Sequence, residues 1–249
     1  SPTRGTTGDS MYKMFKKIVS TGIVTEDYPR VREEPPGRFR GRPRAGPGCE
    51  GCRSCIPVCP TGAIAPKGKG IDIDVGRCIF CGRCEEVCGK DVVTITREYE
   101  LAYLKDRLQD KVQEVLGRSL HVREVDAGSC NGCEVEVTAL SNPVYDVERF
   151  GVHFVASPRH ADMLLVTGPV ARNMEVALRK TYEAAADPRL VAACGTCACG
   201  GGVYRDSYAT VGCLERVLPV DVYIPGCPPR PQALIHGILL ALGRLEADR

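Results

Sequence analysis

The residues best placed to do chemistry are cysteines. The 249-residue chain has fifteen of them, and they are clustered. Two runs, CEGCRSCIPVCP from Cys49 and CIFCGRCEEVCG from Cys78, repeat one pattern, C-x2-C-x2-C-x3-C. Three thiolates at that spacing can wrap one face of an iron–sulfur cubane, and a fourth completes its ligands. A second arrangement is dispersed. Cys130 and Cys133 lie in GSCNGCE, straight after a run that reads as a buried strand, Leu120 to Ala127; Cys197 lies in ACGTCACGGG after a second such run, and Cys227 in PGCPPRP after a third. Strand ends distant in sequence can meet along one edge of a parallel sheet. Cys130, Cys133, Cys197 and Cys227 therefore read as a four-thiolate socket for a further cluster, with Cys194 and Cys199 close enough to compete for the place of Cys197.

The spacing of the two runs is that of two-cluster ferredoxins, in which the fourth cysteine of each run ligates the other cluster. By that rule Cys49, Cys52, Cys55 and Cys88 hold one [4Fe-4S] cluster, and Cys59, Cys78, Cys81 and Cys84 hold a second. Pro60 after the first run fits this pattern, whereas Gly89 stands in its place after the second. The competing reading is a pair of zinc sites, for which two ligand pairs separated by a longer loop are usual. Taken alone, the CxxC at Cys130 is equally compatible with a redox dithiol. Glycines beside the dispersed set, Gly128, Gly132, Gly195 and Gly226 among them, allow backbone to approach a bulky cluster.

Several elements must position these groups. Met11, Met14, Phe15, Ile18 and Val19 recur at helical spacing, with Lys13, Lys16 and Lys17 off the stripe. This predicts an amphipathic helix that either packs on its own domain or lies on a membrane surface or partner subunit. Residues 30–48 hold four prolines and Arg30, Arg32, Arg38, Arg40, Arg42 and Arg44. They read as a solvated linker without regular structure. Leucines recurring through residues 99–116 predict a bridging helix. From residue 120 onward, strands are expected at 120–127, 152–155, 163–167, 190–193 and 220–224. Helices are expected at 134–140, 172–186 and 231–242, with a weaker one at 208–216. Short apolar strands alternating with helices predict a parallel α/β sheet. The expected organisation is a helix and linker over 1–45, a small α+β two-cluster module over 46–97, a linker helix over 98–118, and a flavodoxin-like domain over 119–249.

Composition sets bounds. The net charge of +2 argues against a nucleic-acid binder driven by bulk charge. No run approaches the ~20 apolar residues of a membrane span, and no export signal is visible. Clustered cysteines in a reducing cytoplasm favour metal or redox cofactors over disulfides. His121, His153, His160 and His236 share no ligand spacing; Glu134, next to the socket, reads as an exposed carboxylate at a helix N-terminus, the alternatives being a proton carrier or a group that faces a partner.

VREVDAGSCNGCEVEVTAL, GTCACGGGVYRDSY and DVYIPGCPPRPQAL resemble the small, cluster-bearing subunit shared by membrane-bound [NiFe] hydrogenases and respiratory complex I. The first ninety-five residues resemble the two-cluster ferredoxin subunit of the same complexes, and KMFKKIVSTGIVTEDYP resembles the start of its formate hydrogenlyase version. The complex I branch carries an adjacent cysteine pair at the first ligand position; this chain has no Cys-Cys, which favours the hydrogenase branch. The resemblance implies three [4Fe-4S] clusters. It places Cys197 in the family's Gly-small-Cys position, leaving Cys194, Cys199 and Cys213 as spare thiols. It implies an electron-transfer subunit on the cytoplasmic face of the membrane, serving a separate [NiFe] large subunit that carries the catalysis. Membrane subunits of a complex I-like arm and a donor such as a formate dehydrogenase or a ferredoxin would be further partners. The alternative it leaves is a component of a complex I-like quinone oxidoreductase.

Overall fold

The computed structural model describes residues 7–105 and 119–245. Helix α1 (Thr7–Thr21) forms where the periodicity places it. Its stripe does not pack on its own domain: Met11, Met14, Phe15, Ile18 and Val19 are each more than 60% exposed. The chain then crosses the later α/β domain. The Glu26 N–H donates to the Val144 carbonyl at 2.9 Å, and Arg149 Nη2 donates to the Tyr28 carbonyl at 2.9 Å, burying Tyr28.

The expectation of an unstructured linker fails at its end, where β1 (Pro43–Ala45) forms. Proline is tolerated at the first residue of an edge strand because no ladder donor is lost there. Nor is the arginine run simply solvated: Arg32 pairs with Glu100, Arg44 with Glu98, and Arg40 Nη1 donates to the Cys81 carbonyl at 2.6 Å. A short α2 (Cys55–Val58) closes the first cysteine run. The hairpin β2 (Ile64–Lys67) and β3 (Gly70–Ile73) follows. A matching α3 (Arg83–Glu86) lies in the second run, and β4 (Val93–Ile95) returns to pair antiparallel with β1. This module buries few side chains: Cys55, Ile64, Cys84 and Val93 make up its core.

The bridging helix expected over 99–116 does not start there. Tyr103–Leu104 form an edge strand, β5, with Tyr103 directly opposite Tyr223 and their rings stacked at 4.9 Å. A free sheet edge and an aromatic cross-strand pair override the leucine periodicity. The remainder of that stretch, 106–118, lies outside the described residues.

The second domain follows the expected alternation. Strand β6 (Leu120–Asp126) leads to α4 (Gly132–Ala139). Then come β7 (Val152–Phe154), β8 (Met163–Thr167), α5 (Arg172–Ala184) and β9 (Leu190–Cys194). Next are a short α6 (Gly195–Gly200), β10 (Val222–Ile224) and α7 (Pro231–Ala241). Helix α6 was not anticipated, being rich in glycine. The helix expected at 208–216 shrinks to a 3-10 turn, Leu214–Arg216, preceded by Gly212 at φ +106°.

The sheet order is β5-β10-β9-β8-β6-β7, parallel except for β5. Counted from β6, the parallel strands run 2-1-3-4-5, the flavodoxin-like order. Alternate residues feed a core on either face: Met163 and Leu165 share one with Leu234, Ile235 and Ile238 of α7, whereas Leu164 and Val166 share the other with Leu178 of α5. Among the described residues, no helix is long and apolar enough to cross a membrane.

Candidate metal centres

The cysteines of the small module fall around two separate cavities. Cys49, Cys52, Cys55 and Cys88 line one, walled by Val87, Val92 and Val93. Cys59, Cys78, Cys81 and Cys84 line the other, with Ile64, Ile73, Phe80 and Ile95. Backbone donors are aimed at sulfurs in both. The Val93 N–H reaches Cys88 Sγ at 3.4 Å, Ala63 N–H reaches Cys59 Sγ at 3.2 Å, and Phe80 N–H reaches Cys78 Sγ at 3.3 Å. Such bonds favour thiolate over thiol and, in iron–sulfur proteins, help set the potential. The Ser54 hydroxyl beside Cys52 holds that thiol below its usual range, and the Val93 N–H does the same for Cys88. Burial pushes Cys78 the other way, up to about 11.

The dispersed set lies at the C-terminal ends of β6, β9 and β10. Asp126 Oδ1 accepts from the Gly128 and Ser129 N–H groups at 2.8 and 2.7 Å, turning the chain sharply out of β6 into Cys130 and Cys133. Cys197 sits on α6, one residue past the Thr196 N–H that donates to the Gly226 carbonyl at 2.8 Å. That bond brings the loop bearing Cys227 alongside. Two glycines make room for sulfur. A Cβ on Gly195 (φ +82°) would lie 2.5 Å from Cys133 Sγ, and one on Gly202 would lie 2.9 Å from Cys197 Sγ. Burial pushes the Cys197 thiol up to about 12, and Cys227, Cys133 and Cys130 add to the shift. Cys130 and Cys227 are exposed, whereas Cys133 and Cys197 are half-buried. The socket therefore has an inner wall in the core and an open outer side.

The other cysteines differ. Cys199 is buried and turns away, its Sγ donating to the Ala193 carbonyl at 3.4 Å. Cys194 is fully buried against Cys133; that contact and the burial hold its thiol well above the usual range. Cys213 is half-buried. Among the described residues no three His, Cys, Asp or Glu side chains converge as a single metal ion requires. His121 instead pairs with Asp162 at 3.1 Å and lies beside His153. Both carboxylate oxygens of Glu134 are buried, a setting its place at a helix start did not suggest. Sulfurs crowded out of water with no cation beside them disfavour their own ionisation. At Cys78 and Cys197, where burial opposes ionisation, iron bound beside the sulfur would supply the compensating positive charge.

The small module docks its second set against the socket. The Thr196 hydroxyl donates to the Cys78 carbonyl at 2.7 Å. A Cβ on Gly200 would lie 2.8 Å from the Gly76 carbonyl. A cavity of about 500 Å³ opens beside this junction, between Phe39, Phe80, Tyr99, Cys227 and Arg230.

Comparison with known proteins gives two family matches. Residues 130–241 match the family described as NADH ubiquinone oxidoreductase, 20 Kd subunit, and residues 48–92 match the 4Fe-4S dicluster domain. The chain is 49% identical over 144 residues to the probable membrane-bound hydrogenase subunit mbhJ of Pyrococcus furiosus, covering 57% of this chain and 86% of that one. It is 44% identical over 154 residues to formate hydrogenlyase subunit 7 of Escherichia coli, covering 62% of this chain and 59% of that one. Among solved structures, a chain of the membrane-bound sulfane sulfur reductase, an archaeal respiratory membrane complex, is 40% identical with a TM-score of 0.46, covering 51% of this chain and 70% of that one.

Proposed function

Because the chain belongs to the NADH ubiquinone oxidoreductase 20 Kd subunit family and carries a 4Fe-4S dicluster domain ahead of that part, we propose that it is the electron-transfer subunit of a membrane-associated [NiFe] hydrogenase of the formate hydrogenlyase type. The observation that supports this reading is that the segments bearing Cys130, Cys133, Cys197 and Cys227 follow the C-terminal ends of β6, β9 and β10, with the Thr196 hydroxyl donating to the Cys78 carbonyl behind them. Cys49, Cys52, Cys55 and Cys88 would hold one [4Fe-4S] cluster, Cys59, Cys78, Cys81 and Cys84 a second, and Cys130, Cys133, Cys197 and Cys227 a third. Such clusters supply one-electron redox capacity; the protein fixes their burial and hydrogen bonding.

The [NiFe] large subunit would cover the open side, where Cys130 and Cys227 are exposed. Val135, Val203, Tyr204 and Tyr208 are exposed as well. Proton reduction, or hydrogen oxidation in reverse, would take place on that partner. A donor such as a formate dehydrogenase or a ferredoxin would deliver electrons at the first thiol set. Attachment would be peripheral, at the cytoplasmic face beside the membrane subunits. The unpacked stripe of α1, flanked by Lys16 and Lys17, suits an anionic lipid surface. The dicluster module would run from β1 rather than from residue 46, because β1 pairs with β4.

The family description itself favours a second reading, a component of a complex I-related quinone oxidoreductase. Assay of the anaerobically copurified complex separates the two. Hydrogen evolution from a reduced dye is the expected result; quinone reduction without hydrogen chemistry would sink the first reading. The chain itself should hold about twelve irons, four per cubane. Colourless protein with stoichiometric zinc would remove both readings.

A further inference from the structure

Thr196 is 1% exposed and sits between Gly195 and Cys197, in hydrogen-bond contact with both the Cys78 and the Gly226 carbonyls. Its N–H donates to the Gly226 carbonyl at 2.8 Å. Its Oγ1 lies 2.7 Å from the Cys78 carbonyl and 3.1 Å from that of Gly226. A hydroxyl has one proton to give. The Gly226 oxygen already accepts the N–H, and the Cys78 oxygen is nearer, so the proton goes to Cys78. Cys78 belongs to the second thiol set, Cys197 follows Thr196 directly, and Cys227 follows Gly226.

We propose that the Thr196 hydroxyl is the coupling contact between the second thiol set and the socket, and that it conducts as well as docks. From the Cys78 sulfur the path runs through its own carbonyl, across one hydrogen bond to Oγ1, and along the Thr196 backbone to the Cys197 sulfur. It is covalent except for that single bond. Gly200 also lies beside Gly76 and Arg77, so near that a Cβ there would meet the Gly76 carbonyl at 2.8 Å, but that approach is a matter of packing. Arg40 reaches the Cys81 carbonyl, not the socket. With clusters held by the two sets, one electron lost by the second would be gained by that of the socket; no bond would break, no proton would move, and Thr196 would end as it began. The inference rests on the three-cluster reading above and deepens it by giving the second set, not the first, the direct contact with the socket.

The test uses the anaerobically purified complex with Thr196→Val, which keeps the shape and removes the hydroxyl, and Thr196→Ser, which keeps the hydroxyl. Electron paramagnetic resonance counts the clusters and titrates their potentials. Flash photoreduction followed by rapid freezing times the redistribution of electrons between the dicluster module and the socket. Thr196→Val should keep three signals at unchanged potentials yet redistribute several-fold more slowly, and Thr196→Ser should restore the rate. An unchanged rate in Thr196→Val, or a slow rate that Thr196→Ser does not restore, overturns the proposal. Should Thr196→Val fail to assemble, Thr196→Ala against Thr196→Ser carries the same comparison. Absence of three signals in the unaltered protein would instead overturn the reading on which it rests.

Discussion

The two sulfur-bearing regions gather their thiols by opposite means. In the dicluster module three of each four candidate thiols are local to one run and the fourth comes from the other, and the two runs differ little in geometry: each supplies a short helix, α2 or α3, and a strand beyond it. In the α/β domain the thiols come from three strand ends brought together by parallel pairing. Their support differs too. The socket rests on side chains such as Leu120, Leu164, Leu190 and Leu234, all at 0% exposure, whereas the small module buries chiefly Cys55, Ile64, Cys84 and Val93. Half of that small core is candidate ligand. A sheet can therefore hold the socket open before metal arrives, while the small module depends on metal for much of its cohesion.

Metal removal should have the largest effect, because it acts on the two regions unequally. In chain stripped of iron under anaerobic conditions, hydrogen exchange should reach most amides of residues 43–97 quickly. Amides in β6, β8 and β9 should stay protected. Loss of protection in both regions together would mean that the socket is as metal-dependent as the runs, and the contrast would dissolve.

Gly195→Ala sharpens the comparison from the other side. At φ +82°, with Cys133 Sγ at 2.5 Å from the added carbon, alanine meets both backbone strain and sulfur. The strain alone should cost about 1–3 kcal/mol. The socket cluster should be lost while the dicluster signals persist, and iron should fall from about twelve to about eight. Denaturant unfolding and iron analysis check this together. Retention of full iron with an intact third signal would show that the socket yields more readily than its packing implies.

These contrasts also explain what the sequence disclosed. The repeated runs were legible because ligand spacing is a local property. Strands β8, β9 and β10 were legible because each is a short apolar run buried throughout, whereas β6 and β7 carry polar residues and are buried only in part. The parallel order then placed Cys130, Cys197 and Cys227 at one edge. What escaped was tertiary. Strand β1 was hidden by prolines, although Pro43 needs no donor at its position. Strand β5 was hidden by leucine periodicity that a free edge beside β10 overrides. Helix α6 has too many glycines to signal a helix, yet one of them is the clearance Cys133 requires. The contact between Thr196 and Cys78 spans 118 residues, and nothing in the spacing of either loop announces it. The stripe of α1 was visible, but that its side chains stay more than 60% exposed, unpacked on the described residues, was not.

The smallest effect expected concerns how the stretch between the two regions is fastened. Lys105, just past β5, donates to Glu215 in the 3-10 turn before β10. That hydrogen bond, with a lesser one involving Tyr223, holds the Glu215 carboxyl below its ordinary range. A carboxyl depressed in the folded state adds stability above its unfolded pKa, ordinarily 4.5, and loses it as pH falls through the lower folded value. Both side chains are about half exposed, so solvent screening limits the contribution to about 1 kcal/mol or less. Lys105→Met should therefore be slightly less stable than the unaltered protein near neutral pH, and the gap should close as the solution is acidified. Urea unfolding at a series of pH values measures it. A gap that stays constant into acid would mean that β5 is fastened by its strand pairing and the stacked Tyr103 and Tyr223 rings, with the ion pair incidental.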